Sequence, residues 1–292
     1  MHNNINARDI KTKPMQSVEI GDGLKLSSAE NWNQTEEDWK FLVDGGENIC
    51  LAAEYKGEIV ATTAAVNYSG RVAWIAMVLV NKRFRGLGIS AKLLREAISR
   101  LQGVPSIKLD ATPAGKPVYE KFGFNEEYTI YRMALLPAKS RRIEPVAADK
   151  TVRLSSDTIE EAVRLDHVAF GANRGSLIRA LAKRNPGLCW VIRDKCAISG
   201  FVLGRAGRRY IHIGPVCARA EEDAKALIAQ AIHCQRGRPF IVDVPESKKT
   251  LVQWLKDHGF SIQRPFTRMY MGENPLPGDA DKRYLICGPE FG

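Results

Sequence analysis

The sequence predicts an α/β (α+β) protein built from two related domains, and three observations carry that prediction. The chain has 292 residues, long for one core and suited to two domains of roughly 140 residues. Strand-like and helix-like hydrophobic patterns alternate along both halves. An internal echo links them. Gly123-Phe124 precedes Tyr131-Arg132-Met133, and Gly259-Phe260 precedes Thr267-Arg268-Met269 at the same spacing. Gly123 and Gly259 stand 136 residues apart, each after a short amphipathic helix and before a strand, which marks two versions of one fold.

Taken in order, residues 9–15 form a short extended stretch leading to a polar region. There Thr35 reads as an N-cap with Glu36, Glu37 and Asp38 in the first turn. Residues 49–55 and 58–67 read as a hairpin turning at Lys56-Gly57. Residues 73–80 carry no charge, as expected of a strand buried on both faces. Ile89, Leu93, Leu94, Ile98 and Leu101 recur at helical spacing, with Gly103 where a cap belongs. Residues 106–111 are a strand, 113–122 a short helix starting at a proline, and 128–136 a closing strand.

The sequence divides into a first domain over residues 1–137, a linker over 138–150 and a second domain over 151–292. The linker follows from two prolines and the Lys139-Arg141-Arg142 cluster without apolar periodicity. The second domain repeats the theme with helices at 160–170 and 176–183, strands at 189–193, 198–205 and 210–218, a helix at 222–233, a strand at 239–244, a helix at 248–258 and a terminal strand pair.

Composition narrows the function. Hydrophobic residues at 45% and charged residues at 26% are ordinary for a globular protein. No apolar run approaches the ~20 residues needed to span a membrane, and residues 1–16 lack a signal-peptide core. Cytoplasm is the expected location. Six cysteines without a Cys-x-x-Cys pair fit buried thiols, and five scattered histidines suggest no metal. The net charge of +10 reads as a solvated basic surface with a share for an anionic cofactor. No aromatic-basic stripe points to nucleic acid.

The segment Val80-Asn81-Lys82-Arg83-Phe84-Arg85-Gly86-Leu87-Gly88-Ile89-Ser90-Ala91 carries the chemistry. A buried strand ends, a glycine-rich turn follows, and an amphipathic helix begins. Glycines let backbone N–H groups converge, and the helix start adds unpaired donors and partial positive charge. That suits a phosphate or pyrophosphate. Neither Gly-x-Gly-x-x-Gly nor Gly-x4-Gly-Lys-Ser/Thr is present, and an ordinary strand-to-helix turn is the alternative.

Two segments, Arg85-Gly86-Leu87-Gly88-Ile89-Ser90 and Tyr119-Glu120-Lys121-Phe122-Gly123-Phe124, together resemble the GNAT superfamily of N-acetyltransferases. Ser90 departs from the usual glycine or alanine. The resemblance implies two GNAT-like domains, each a central mixed, largely antiparallel sheet flanked by helices. It implies acetyl-CoA (coenzyme A) as co-substrate, held by Arg85, Gly86, Leu87, Gly88, Ile89 and Ser90, with the pantetheine arm along Val78, Leu79 and Val80. A backbone N–H there would polarise the thioester carbonyl. Tyr119 matches the tyrosine that returns a proton to the departing thiolate; as a bare pattern it also fits a core aromatic. Thr112 stands where the family often has asparagine. For a general base, Asp110, Glu36, Glu37 and Asp38 are candidates that read equally as solvated or capping residues.

A closer resemblance is to tandem GNAT proteins with a divergent second copy. It is carried by Trp32-Asn33-Gln34-Thr35, Asp110-Ala111-Thr112-Pro113-Ala114-Gly115 and Phe170-Gly171-Ala172-Asn173-Arg174. The second copy reads Arg219-Ala220-Glu221-Glu222-Asp223 in place of the glycine loop, and its carboxylates would repel pyrophosphate. Trp254 stands roughly where a donor tyrosine would. Trp32 and Trp39, seven apart, are read as one helical face walling an amine pocket or as core. Asn33, Asp110, Asp166 and Phe170 complete the candidate acceptor pocket, with Arg174 beside them; Phe170 reads equally as core and Arg174 as the cap of a helix end. The expectation is acetyl transfer to a small amine or amino group, without nucleic acid or membrane partners and with a homodimer open. A CoA-binding sensor is the alternative.

Overall fold

The computed structural model describes residues 5–139, 143–145, 150–194, 197–273 and 278–292. Most of the expected linker, its Arg141-Arg142 pair and Cys196 lie outside the described residues. The chain forms two compact units, Met1–Lys108 with Phe291, and Leu109–Glu290 with Gly292.

In the first unit the elements run β1 (Lys11–Pro14), α1 (Ile20–Ala29), α2 (Glu36–Asp44), β2 (Ile49–Tyr55), β3 (Glu58–Tyr68), β4 (Val72–Val80), α3 (Ile89–Arg100) and the start of β5 (Ser106–Ala111). The strand order is β1-β2-β3-β4-β5, antiparallel except for the parallel β4–β5 pair. Lys56 and Gly57, at φ 50° and 84°, make the tight turn between β2 and β3. α3 packs on β2 and β3, and α1 packs on β3 and β4. Leu93 and Ala97 of α3 are fully buried with Leu51 and Val60, as the helical spacing requires.

Helix α1 has no counterpart in the sequence reading, because Gly21 and Gly23 weaken its pattern. Packing decides it: a Cβ on Gly23 would lie 2.9 Å from a Trp39 ring carbon, so glycine lets helix and indole meet. Trp39 is fully buried and its Nε1 donates to Ser27 Oγ at 3.2 Å. Trp32 precedes α2, in the connection after α1, so the two tryptophans share no helical face.

The second unit holds the end of β5, then α4 (Lys116–Glu120), β6 (Asn125–Leu135), β7 (Thr151–Arg153), α5 (Ser156–Phe170), α6 (Gly175–Arg184), β8 (Trp190–Asp194), β9 (Ala197–Ala206), β10 (Ile211–Ala218), α7 (Glu221–His233), β11 (Phe240–Pro245), α8 (Lys249–Asp257), β12 (Ser261–Gly272) and β13 (Arg283–Leu285). The order is β12-β6-β11-β10-β9-β8-β7, with β13 on β10. Only β10–β11 is parallel among its described pairs. α7 covers β9 and β10, and its buried Leu227 and Ile228 each contribute about 1.5–3 kcal/mol of apolar burial.

Two helix starts and one strand pairing differ from the sequence reading in ways the local bonding explains. α4 starts at Lys116 because Thr112–Gly115 forms a turn, in which the Gly115 and Lys116 amides donate to the Thr112 carbonyl at 2.9 and 3.0 Å. α5 starts four residues early because Ser155 and Thr158 form a reciprocal cap. The two terminal strands are not a pair: β12 joins β6 and β13 joins β10.

The echo has a structural basis. Gly123 and Gly259 end their helices in left-handed backbone, at φ 85° and 95°. Phe124 N–H then donates to the Tyr119 carbonyl at 3.2 Å, and Phe260 N–H to that of Leu255 at 3.0 Å. Arg132 on β6 grips Asp243 on β11 through two hydrogen bonds of 2.7 Å. Arg268 on β12 grips Asp110 on β5 at 2.8 and 2.9 Å. Each echo arginine therefore neutralises a buried aspartate on a strand of the other sequence half.

Candidate functional site

In the first unit, β4 carries a bulge. Its pairing with β3 shifts between Thr62 and Ala64, so Met77 and Val78 face the single residue Thr63. Met77 takes a left-handed conformation, φ 53°, unusual for a side chain of that size. Thr62 Oγ1 donates to the Met77 carbonyl at 2.8 Å and pins the irregularity. On its other edge β4 pairs with β5 only from Val72 to Trp74. Val78 and Val80 are half-buried, whereas Leu79 faces the core. A bulge and a strained residue next to an unpaired strand edge are features that cluster at binding sites.

β4 leads into the glycine loop. Gly86 and Gly88 sit at φ 81° and 72°, and a Cβ built on either meets nothing within 4 Å. Glycine is required there by backbone conformation, and the space beside it is open. The Lys92 amide bonds to the Gly88 carbonyl at 3.0 Å, so the α3 ladder begins there and the amides of Ile89, Ser90 and Ala91 precede it. Arg85 donates to the Val80 carbonyl at 3.3 Å and pairs with Glu30 at 2.6 Å. These donors fit an anionic phosphate group. A cleft of about 390 Å³ adjoins the end of β4, lined among others by Leu26, Glu30, Val80 and Lys82.

The acids on α2 have structural duties. Asp38 is buried and accepts from the Thr35 amide at 3.0 Å, completing a capping box, while Glu36 and Glu37 are exposed in the first turn. Trp32 and Asn33 are half-buried in the loop before them.

In the second unit, Thr112, Gly115 and Tyr119 come together. Gly115 N–H donates to Thr112 Oγ1 at 3.1 Å, and a Cβ on Gly115 would sit 3.1 Å from the Tyr119 ring. The ring packs edge-on to Phe124, centroids 6.0 Å apart. Tyr119 keeps part of its surface exposed, yet its surroundings withdraw the hydroxyl from water and push its pKa up. It therefore stays protonated at neutral pH.

Asp110 is not open to a substrate: it is fully buried in the ion pair with Arg268. Asp166 and Phe170 are also buried, with Arg174 bidentate to Asp166 at 2.7 and 3.0 Å and stacked 3.8 Å from the Phe170 ring centroid. They form one closed cluster of an ion pair and an aromatic ring.

The second copy keeps a bulge but differs from the first in the residues around it. β10 also bulges, with Gly214 and Pro215 facing the single residue Leu203. Pro215 stands where β4 has Val78, and proline has no N–H to offer. Glu221, Glu222 and Asp223 fill the first turn of α7. Leu255, rather than Trp254, occupies the place of Tyr119, as the matching helix-closing bonds show. The 136-residue offset of the two glycines gives the same place, since Tyr119 and Leu255 each stand four residues before theirs.

Among the described residues, no helix is long and apolar enough to cross a membrane, and no cluster of three His, Cys, Asp or Glu side chains could hold a metal ion. Acetyltransferase (GNAT) domain models match residues 21–133 and 162–285. Holothin acyltransferase of Pseudoalteromonas sp. (strain SANK 73390) is 25% identical over 265 residues, covering 90% of this chain and 88% of that protein. A Pyrococcus horikoshii protein proposed to be an acetyltransferase superposes with a TM-score of 0.80 at 24% identity, covering 100% of this chain and 99% of the other. A tandem GNAT protein from the clavulanic acid biosynthesis pathway superposes at 0.66 with 13% identity, covering 91% and 99%. With a GNAT domain in each half, this chain belongs to the GNAT acetyltransferases, as a tandem member.

Proposed function

We propose that this acetyltransferase moves an acetyl group from acetyl-CoA to the amino group of a small amine, with its chemistry in the first copy. The carrying observation is the bulged, unpaired edge of β4 running into the open glycine loop at Gly86 and Gly88. Acetyl-CoA supplies an activated thioester. The amides of the Arg85–Ser90 loop and the start of α3 bind its pyrophosphate, and the backbone of Val78, Leu79 and Val80 aligns the pantetheine arm. An N–H freed by the bulge donates to the thioester oxygen; such preorganised donors are typically worth a few kcal/mol of barrier. A neutral amine attacks directly in the ternary complex, which supplies proximity. The family motif assigns Tyr119 the return of the proton to the thiolate, with Thr112 beside it. Trp32 and Asn33 remain for the acceptor side, whereas Asp110, Asp166 and Phe170 serve the fold.

On this reading residues 1–137 are the catalytic domain, 138–150 join it to the second, and 151–292 form a copy without the pyrophosphate loop. The buried free thiols of Cys50, Cys189, Cys217 and Cys287 fit a cytoplasmic location. The test is thiol release from acetyl-CoA over an amine panel, with Tyr119→Phe alongside. We expect turnover on at least one amine. Tyr119→Phe should lose about a hundredfold or more in kcat while binding acetyl-CoA normally. Binding without turnover on any amine would replace this reading with a CoA-binding sensor.

A further inference from the structure

We propose that the wedge between β10 and β11 is the second copy's cofactor slot and that residues 283–287 of this chain are its permanent occupant. This rests on the reading that the edge of β4 takes the acyl-CoA arm.

In both copies a three-residue parallel ladder holds two strands together before they part. In the first, β4 leaves β5 after Trp74. In the second, β10 leaves β11 after Ile213. Beyond that point the described edge of β4 carries no further strand, whereas β10 carries β13, antiparallel, with Leu285 opposite Val216 and Arg283 opposite Cys217. The next residue ties across to the other wall, where the Ile286 amide donates to the Asp243 carbonyl on β11 at 3.0 Å. A strand inside the wedge supplies what a pantetheine arm would supply, an extended chain hydrogen-bonded along an open strand edge.

The fit is close. Tyr284, Leu285, Ile286 and Cys287 are buried, the last three completely. A Cβ on Gly214 would lie 2.1 Å from the Ile286 carbonyl oxygen, so glycine at the bulge admits the segment. Arg205 donates to the Cys287 carbonyl at 2.8 Å and also pairs with Glu290. A cleft that has lost its glycines, its bulge N–H and its tyrosine is thus closed by peptide rather than left open.

The experiment is hydrogen exchange of the full-length protein, free and with saturating acetyl-CoA, with binding stoichiometry from calorimetry. In the free protein, 283–287 should exchange as slowly as β10 and β11; exchange as fast as an exposed tail overturns the proposal. With acetyl-CoA, residues 75–80 should gain protection while 283–287 do not change, and one equivalent should bind. Gly88→Asp should then abolish all binding. A second equivalent, binding that survives Gly88→Asp, or altered exchange at 283–287 would each overturn the closed slot while leaving acyl-CoA use intact. No binding to the parent protein would refute the acyl-CoA reading, and the free-state exchange at 283–287 would still decide occupancy.

Discussion

Arg268→Met removes the guanidinium from a pair in which both side chains are fully buried. Asp110 is left in the interior without the two hydrogen bonds of 2.8 and 2.9 Å that satisfied it. Breaking a buried pair by deleting one partner costs about 3–5 kcal/mol, because the remaining charge has no compensation. The lost bond to the Tyr128 hydroxyl adds about 1 kcal/mol. Removing both partners is a different perturbation. Asp110→Leu with Arg268→Met leaves no buried charge and should recover most of the loss, since apolar replacement of such pairs ranges from neutral to stabilising by about 1–4 kcal/mol. Urea unfolding of the parent, both single variants and the double variant measures the cycle. A single variant within about 1 kcal/mol of the parent, or a double variant no more stable than the singles, would refute the view that the echo arginines exist to neutralise buried aspartates.

Two further outcomes follow from the same geometry. Thr62→Val removes the bond that pins the Met77 carbonyl; kcat should fall about tenfold with acetyl-CoA affinity nearly unchanged, and Thr62→Ser should restore it, so equal activity in all three forms would dismiss the bulge as catalytic geometry. His212 has its pKa lowered by burial and by the nearby Arg205 charge, against the opposing Asp243 carboxylate 3.2 Å away. The unfolded state then binds a proton more readily, so this stability is complete above pH 6.5 and is lost as pH falls below it toward the folded value. Urea midpoints at pH 7.5 and 5.5 should differ more for the parent than for His212→Gln, and equal slopes would count against it.

The local elements were legible in the sequence because their causes are local. The β2–β3 turn needs the conformations that Lys56 and Gly57 adopt, α3 follows from the spacing of Leu93 and Leu94, and Thr35 announces the start of α2. The glycine loop and the Tyr119-to-Phe124 segment were readable as a family pattern because it lies in residue types at fixed spacing. Helix α1 was not readable, since packing of Trp39 on Gly23 outweighs the cost of its glycines.

Sequence by itself thus determined the two-copy GNAT architecture, the glycine loop between β4 and α3 and the carboxylates at Glu221 to Asp223. Tertiary structure alone decided what the candidate acids do: Asp110 and Asp166 look like any strand-end or helix carboxylate until Arg268 and Arg174 are found upon them. It alone showed the strained Met77 and the proline in the second bulge's register. Burial, register and the partner of a charge depend on how the chain folds back on itself: Arg132 and Asp243 stand 111 positions apart, and even Asp166 and Arg174, eight apart, meet only because the chain turns between α5 and α6.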